Sequence, residues 1–286
     1  MQTRLKSATK EVIISDDEPT VLIGERINPT GKKKLTEALK NGNLDLVRKE
    51  AISQVQVGAD VLDINVGALG VDEVVLLPRV VQVVMDTVDV PLCLDSANPS
   101  ALEAALKVYK GKPLVNSVTG QENSLEKVLP LIKKYKSAVI GLTMDDEGIP
   151  NDVEQRVAIA HRIVEEAEAI GIPREDVIID CLTLTVGAND KAGTIVIESI
   201  RRVKDDLGVN LTLGASNISF GLPERNTLNT AFITIAIAMG VTCPIVDVAK
   251  VRPAILATDL ILGRDRYAMR YIKAYQKRKK QREKRG

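Results

Sequence analysis

The most constraining feature of this sequence is a repeated pattern in which an apolar run ends in an Asp, an Asn or a Ser/Asn pair. The copies are Val61–Asn65, Leu92–Ser96, Leu114–Ser117, Ile178–Asp180, Leu213–Asn217 and Ile245–Asp247. Runs of Val, Ile and Leu are typical of strands buried on both faces, as in a parallel sheet. A polar residue at the carboxyl end of such a strand lies where parallel α/β folds bind their ligands. The sequence therefore predicts one rim with many hydrogen-bonding groups.

Strand-like runs alternate with amphipathic helical stretches along the whole chain. The predicted strands are 21–27, 61–66, 91–96, 113–118, 138–144, 177–184, 210–218 and 243–248. Eight β–α units in about 250 residues predict an α/β fold of the closed (β/α)8 TIM barrel type. A doubly wound open sheet is the main alternative, but the first strand continues into 24–31, which lacks the GxGxxG pattern. We expect one domain over 1–286, with its core at 21–262.

The predicted helices follow these strands in turn. They are a short helix from Lys32 and then 44–57, 73–87, 100–109, 125–135, 153–170, 194–207, 227–239 and 253–262. The first twenty residues are expected to cover the amino-terminal end of the barrel. The basic tail, 264–286, is predicted to be a solvated and partly frayed helix, with contact to an acidic partner as the functional alternative.

Composition excludes several classes of function. The formal net charge is +1, so we expect neither a nucleic-acid partner nor an acidic membrane partner. With no Trp and two Phe, stacking on bases or sugars is disfavoured. The uncharged stretch 231–246 is short for a membrane span and contains Gly240 and Pro244.

The cysteines and the amino terminus predict a cytoplasmic location. Cys93, Cys181 and Cys243 lie far apart in or beside apolar runs, as expected of buried reduced thiols. Residues 1–19 are polar and mixed in charge, which we do not expect of a signal peptide.

The usual catalytic side chains are scarce. His161 is the only histidine and falls within a predicted outer helix, so neither a Ser-His-Asp set nor a Cys-His pair can be built. No His or Cys spacing suits zinc, and no dense Asp motif suits magnesium, so we expect no metal. The segment 249–253 after the last strand lacks glycine, which argues against a phosphorylated sugar as substrate.

What remains is a ring of neutral amides and carboxylates at the predicted strand ends. Its members are Asp63, Asn65, Asp95, Asn116, Asp180 and Asn217. Carboxylates accept paired N–H donors and amides both donate and accept, a combination that suits a flat heterocycle such as a 2-amino-4-oxopteridine. A single strand-end Asp is often a helix N-cap, but six such groups on one rim favour a binding site.

The residues that carry a family resemblance lie in the same places. They are the motifs at 24–28, 62–67, 93–96, 115–117, 141–144, 179–180 and 214–220, in the order and spacing of the family. The chain resembles the methyltetrahydrofolate-dependent corrinoid methyltransferases and the folate-binding barrel of cobalamin-dependent methionine synthase. Dihydropteroate synthase is a more distant relative with the same pterin pocket.

The resemblance implies a role for individual residues. Asp95, Asn116 and Asp180 would hold the pterin ring, and the mobile amide of Asn217 would hydrogen-bond the pterin N5 and act in catalysis. The other substrate-binding positions would be Glu25, Asn28, Asp63, Asn65, Gly214, Ser216 and Arg225.

The resemblance also implies the reaction. A methyl group would move between N5 of tetrahydrofolate, as in 5-methyltetrahydrofolate, and the cobalt of a corrinoid (cobalamin) carried by a partner protein, in a direction that the sequence leaves open. The enzyme would be a homodimer in one-carbon metabolism. A dihydropteroate synthase-like pterin enzyme and a non-catalytic folate-binding protein are the alternatives.

Overall fold

Eight parallel strands form a barrel in the computed structural model, which describes residues 1–283. The barrel strands are β3 (Ile23–Ile27), β4 (Val61–Asn65), β5 (Leu92–Asp95), β6 (Leu114–Thr119), β7 (Ala138–Leu142), β8 (Val177–Asp180), β9 (Asn210–Thr212) and β10 (Ile245–Val246). Two further strands, β1 (Thr3–Lys6) and β2 (Glu11–Ile14), pair antiparallel with each other outside the barrel sheet.

Neighbouring strands pair in the order β10, β3, β4, β5, β6, β7, β8, β9, and every pair is parallel. Two parallel bridges, Leu211 with Val241 and Gly214 with Ile245, join β9 to the chain around β10. The N–H of Ile245 donates to the carbonyl of Leu213 at 2.9 Å across this junction. The ring is thereby closed, which confirms the predicted barrel and excludes the open sheet.

The helices form an outer ring around the strands. They are α1 (Lys33–Lys40), α2 (Asp45–Val57), α3 (Glu73–Met85), α4 (Pro99–Val108), α5 (Glu122–Tyr135), α6 (Val153–Ala169), α7 (Ala192–Leu207), α8 (Arg225–Ala238), α9 (Val248–Ile261) and α10 (Met269–Glu283). Asp72, Asn98 and Asp152 accept N–H bonds at the starts of α3, α4 and α6, so local capping sets these boundaries.

Two apolar clusters stabilise the barrel. The larger lies between the strands and the helices, where residues such as Leu62, Val80 and Ile163 are fully buried. The smaller fills the inside of the ring and includes Ile23 and Cys93. Strands buried on both faces explain why the sequence shows continuous apolar runs instead of alternation.

The β1–β2 hairpin closes the amino-terminal end of the barrel. Leu5 and Ile14 of the hairpin are fully buried in the inner cluster. The buried Asn210 amide, at the start of β9, donates to the Thr3 hydroxyl at 2.9 Å and to the Ile14 carbonyl at 3.0 Å. The predicted covering role of the first residues is therefore confirmed.

Three boundaries show the largest differences from the sequence prediction. β9 ends at Thr212 because a 3-10 turn over Ala215–Ser219 replaces the rest of the predicted strand. β8 ends at Asp180, because the backbone of Leu182 has a positive φ of 55° that a strand does not allow. α9 begins at Val248, five residues before the predicted start at Pro253, and continues through that proline.

The basic tail is a helix, as predicted, but part of it packs. Ala274 of α10 is buried, and Lys277 donates to the carbonyl of Gln56 at 2.9 Å. The Arg270 guanidinium lies 3.6 Å from Asp259 near the end of α9. The last residues of the predicted tail, 284–286, lie outside the described residues. Within residues 1–283, no helix is both long and apolar enough to cross a membrane.

The cysteine prediction is confirmed, because Cys93, Cys181 and Cys243 are all free thiols in the interior. His161 lies on the outer helix α6, as predicted, with 37% of its side chain exposed.

The contact of Asn210 with the hairpin gives a testable prediction. Asn210→Ala should lower the free energy of unfolding by about 1–3 kcal/mol, since it leaves the buried Ile14 carbonyl without its side-chain donor. Urea denaturation measures the change, and Asn41→Ala, at an exposed amide, serves as the control. Equal stability of the two variants would contradict the role of Asn210.

Candidate functional site

The strand register gathers polar side chains at the carboxyl end of the barrel. Asn65 on β4 is paired in register with Asp95 on β5, and Asp95 is paired with Asn116 on β6. Asp180 ends β8 beside Thr212 of β9. Because parallel strands all end at the same rim, these four predicted residues occupy one mouth of the barrel.

Two amide–carboxylate pairs organise this half of the rim. The Asn65 amide donates to Asp95 Oδ2 at 2.9 Å, and the Asn116 amide donates to Asp63 Oδ1 at 3.4 Å. Asp63 is buried, whereas the other three are half-buried. The amides thus fix the orientation of the acids. The half-buried members of each pair remain accessible from the mouth.

Burial perturbs the acids of these pairs. Desolvation raises the pKa of Asp95 to about 6, against the lowering effect of the bond from Asn65. The pKa of Asp63 lies well above its ordinary value because of burial and then because of the neighbouring Asp95 charge, with Glu25 adding a smaller repulsion. These carboxyls therefore form one electrostatic cluster that additional N–H donors would stabilise in its charged form.

Asp180 is buried, as Asp63 is. Its Oδ1 accepts the N–H of Leu182 at 2.7 Å. Burial raises the pKa of Asp180 to about 7, although backbone donors and the nearby Arg156 lower it in part. A group with this pKa changes charge near neutral pH, which is typical of functional sites.

Arg156 of α6 holds the segment that follows Asp180. Its buried guanidinium donates to the carbonyls of Cys181 at 2.6 Å, Leu182 at 2.8 Å and Pro150 at 2.7 Å. The sequence analysis did not single out Arg156, because an arginine in an amphipathic helix ordinarily lies in solvent.

The loop after β9 carries the predicted catalytic amide. Asn217 lies in the 3-10 turn Ala215–Ser219, with an exposed side chain that makes no hydrogen bond within residues 1–283. Gly214 permits this arrangement, since a Cβ there would lie 3.1 Å from Asn217 Nδ2. The amide is therefore free to face a ligand in the mouth.

Contacts from two sides hold this loop. The Ser216 hydroxyl donates to Glu25 on β3, with 3.1 Å to each carboxylate oxygen. Burial raises the pKa of Glu25, and the bond from Ser216 only partly offsets it. Arg225, at the start of α8, donates to the Ser216 carbonyl at 2.8 Å and to the Ser219 hydroxyl at 3.1 Å. Arg225 thus acts within this structure as a brace for the loop.

Ser219, a member of the 214–220 motif that was given no role, and Asn229, which the sequence analysis missed, complete the brace. The buried Ser219 hydroxyl lies 2.6 Å from Asn229 Oδ1 of α8, to which it donates. Asn229 gave no signal in the sequence because it falls inside a predicted helix without a recognisable motif.

Asn28 stands apart from the other predicted site residues. Its Oδ1 accepts the N–H of Thr30 at 2.9 Å, which forms a local turn after β3. The described hydrogen bonds connect Asn28 to none of the other predicted site residues, so its structural role is that of a turn residue.

Comparison with known proteins agrees with this geometry. Residues 24–247 match the family model described as pterin binding enzyme, a span that runs from β3 to the end of β10. The chain belongs to the pterin-binding enzymes, and the predicted family resemblance is confirmed.

Particular relatives extend the comparison. The chain is 33% identical to the methylcorrinoid:tetrahydrofolate methyltransferase of Eubacterium limosum over 269 residues, which is 91% of this chain and 97% of that protein. It is 32% identical to methionine synthase of Mycobacterium leprae over 250 residues, 82% of this chain but 21% of that protein.

Solved structures show the same fold. Yersinia pestis dihydropteroate synthase with a pterine-sulfa conjugate superposes with a TM-score of 0.71 at 18% identity, over 91% of this chain and 99% of that one. The Clostridium difficile enzyme in the presence of pteroic acid gives 0.70 at 23% identity, over 86% and 97%. At these identities the likeness establishes the barrel type and no more.

The buried acid of Asp180 gives a pH-dependent prediction. Its pKa is raised on folding, so ionisation of Asp180 costs stability as the pH rises from its ordinary value to about 7. Asp180→Asn removes this cost. The free energy of unfolding of the variant relative to the native protein should therefore increase by roughly 2–4 kcal/mol between about pH 5 and about pH 8.

Denaturant titrations at the two pH values measure this difference. Asp190→Asn changes an exposed acid and serves as the control, whose relative stability should stay constant. A constant difference for Asp180→Asn would rule out the raised pKa.

Proposed function

We propose that this chain is a methyltransferase that moves a methyl group between N5 of tetrahydrofolate and the cobalt of a corrinoid on a partner protein. The observation that carries the proposal is the 33% identity with methylcorrinoid:tetrahydrofolate methyltransferase over nearly the full length of both chains. The methionine synthase match supports the same substrate pair. A spectroscopic assay with cobalamin determines the direction of transfer.

In this proposal, the rim acids and amides bind the pterin. Asp95 and Asp180 accept N–H donors of the ring, and Asn116 pairs with its polar edge. The ring donors offset the desolvation that raises the pKa of both acids. Glu25, Asp63 and the remaining predicted positions line or support the site.

Asn217 is the proposed catalytic group. The tertiary amine N5 must carry positive charge or a proton when it exchanges a methyl group. The Asn217 carbonyl oxygen can accept a hydrogen bond from protonated N5, and the amide does not titrate in doing so. Its exposed, unbonded side chain on a braced loop supports this role, because the geometry is set before the ligand arrives.

The corrinoid supplies the cobalt centre that gives or accepts the methyl group. This chain leaves the Asn217 loop open at the mouth, with Phe220 exposed beside it, which fits a bulky group that is presented from outside. We further propose a single domain with its core at 21–262 and a cytoplasmic location, both on the sequence pattern, and a homodimer on the family resemblance.

A spectroscopic assay tests the proposed function. The purified chain is mixed with free cob(I)alamin and 5-methyltetrahydrofolate, or with methylcob(III)alamin and tetrahydrofolate, and the cobalamin absorbance is followed. We expect turnover in at least one direction. Folate binding without turnover would indicate a non-catalytic folate-binding protein, and condensation of a pterin pyrophosphate with p-aminobenzoate would indicate the synthase alternative.

Two variants separate catalysis from binding. Asn217→Ala should lower kcat by roughly 100-fold and change the Kd of folate much less, because its bond strengthens in the transition state. Asp180→Ala should instead raise the Kd by at least about tenfold, since it leaves ring donors unpaired.

Stopped-flow kinetics and isothermal titration calorimetry measure the two effects. Asn151→Ala, at an exposed amide on the loop before α6, is the matched control and should change neither quantity. Equal losses in kcat and affinity for Asn217→Ala would contradict its catalytic role.

A further inference from the structure

The carboxyl-terminal helix encloses a basic cavity on the outside of the barrel. α10 lies over the groove between α2 and α9 and leaves a cavity of about 570 Å³. Its walls carry the cations Arg252, Arg270, Lys273, Lys277 and Arg278, with Asp60 as the single acid that lines it among residues 1–283. Such an excess of positive charge in a concave site favours an anionic ligand.

Two guanidinium groups in this cavity have unused donors. Arg252 Nε and Arg270 Nη1 are buried and have no hydrogen-bond partner among residues 1–283, although Arg270 Nη1 forms an ion pair with Asp259 at 3.6 Å. The backbone makes room for the first of them, because a Cβ at Gly58 would lie 2.4 Å from Arg252 Nε. The cationic side chains that line the cavity suit a carboxylate or phosphate, because charge-assisted hydrogen bonds to such anions are the strong ones.

A second cavity continues the first toward the mouth. It has a volume of about 440 Å³ and shares Val57, Val248 and Ala249 with the first. Lys49 and Lys250 line it together with Arg26, whose charge is partly neutralised by Glu50 at 2.8 Å and Asp247 at 3.3 Å. Asp247 also pairs with Lys250 at 3.1 Å.

A third, smaller cavity reaches the candidate site. It has a volume of about 130 Å³ and shares Asp247 and Lys250 with the second. Its other walls include Glu25, Ser216 and Arg225, which belong to the rim site. The three cavities, called the basic groove below, carry nine cationic and four acidic side chains in all.

We propose that the basic groove binds the anionic tail of the substrate, and that this substrate is a tetrahydrofolate whose terminal glutamate is extended by further glutamyl residues. The inference rests on the proposed function. A chain with one free carboxylate per residue matches a series of adjacent cavities that share lining residues and carry an excess of cations. Arginine forks suit carboxylates along such a chain.

Affinity for folates of different tail length tests the inference. Isothermal titration calorimetry compares 5-methyltetrahydrofolate that carries one glutamate with the form that carries five. We expect the longer tail to lower the Kd by about tenfold at low salt, as a few partly exposed ion pairs would do. The advantage should shrink at high salt, because counterions screen these pairs.

Two double variants locate the effect. Lys273→Gln with Arg278→Gln removes two charges from the groove wall and should abolish most of the tail advantage while the affinity for the one-glutamate form stays constant. Lys279→Gln with Lys280→Gln removes two exposed charges from the same helix, outside the lining, and should preserve the advantage.

The outcomes distinguish the two proposals. Equal Kd values for the two tail lengths, with tight binding of both, would overturn the groove assignment and leave the proposed function intact. An equal loss of the tail advantage in both double variants would also overturn the groove assignment, since the advantage would then come from the net charge of the protein. Failure of either folate to bind would overturn the proposed function and the inference with it.

Discussion

Closure of eight parallel strands into a ring is the constraint on which the rest of the structure depends. It sends every carboxyl end to one mouth and every amino end to the other. The polar ends of the strands must then share the first mouth. The second mouth exposes apolar side chains of the ring interior, which the β1–β2 hairpin covers with Leu5 and Ile14. One geometric requirement thus explains both the polar rim and the apolar plug.

The buried acids of the rim cost free energy, and a ligand can lower that cost. Burial is the main cause of the raised pKa at Glu25, Asp63, Asp95 and Asp180. The protein supplies only a few donors to these acids, such as the Asn65 amide and the N–H of Leu182. Acids that are buried at one mouth with few N–H donors raise the free energy of the empty site. A ring that supplies such donors can lower this free energy when it binds.

The sequence was sufficient to predict the fold because the alternation of apolar strand segments with amphipathic helical segments is also found in the structure. All eight barrel strands and nine outer helices fall where the alternation predicts them. The errors in the predicted boundaries have local causes. The 3-10 turn after Thr212 has a residue composition like that of a strand, and α9 continues through Pro253. The hairpin strands were not predicted, because β1 and β2 lie in a segment of polar residues and mixed charge without a long apolar run.

The site was predictable where residues follow strands directly. Asp95, Asn116 and Asp180 could be placed on one rim because the strand ends are visible in the sequence. The contacts that brace the Asn217 loop were not predictable, because they depend on how separate elements pack in the folded chain. Ser219 with Asn229 and Glu25 with Ser216 are of this kind.

Arg156 shows how far such long-range support extends. From the outer ring it fixes three carbonyls near the end of β8, and its positive charge lowers the pKa of Asp180. The proton equilibrium at the mouth is therefore set in part by a helix that never reaches it. Evolution can retune the working pH of such a barrel through its outer shell, while every group that meets the ligand stays unchanged.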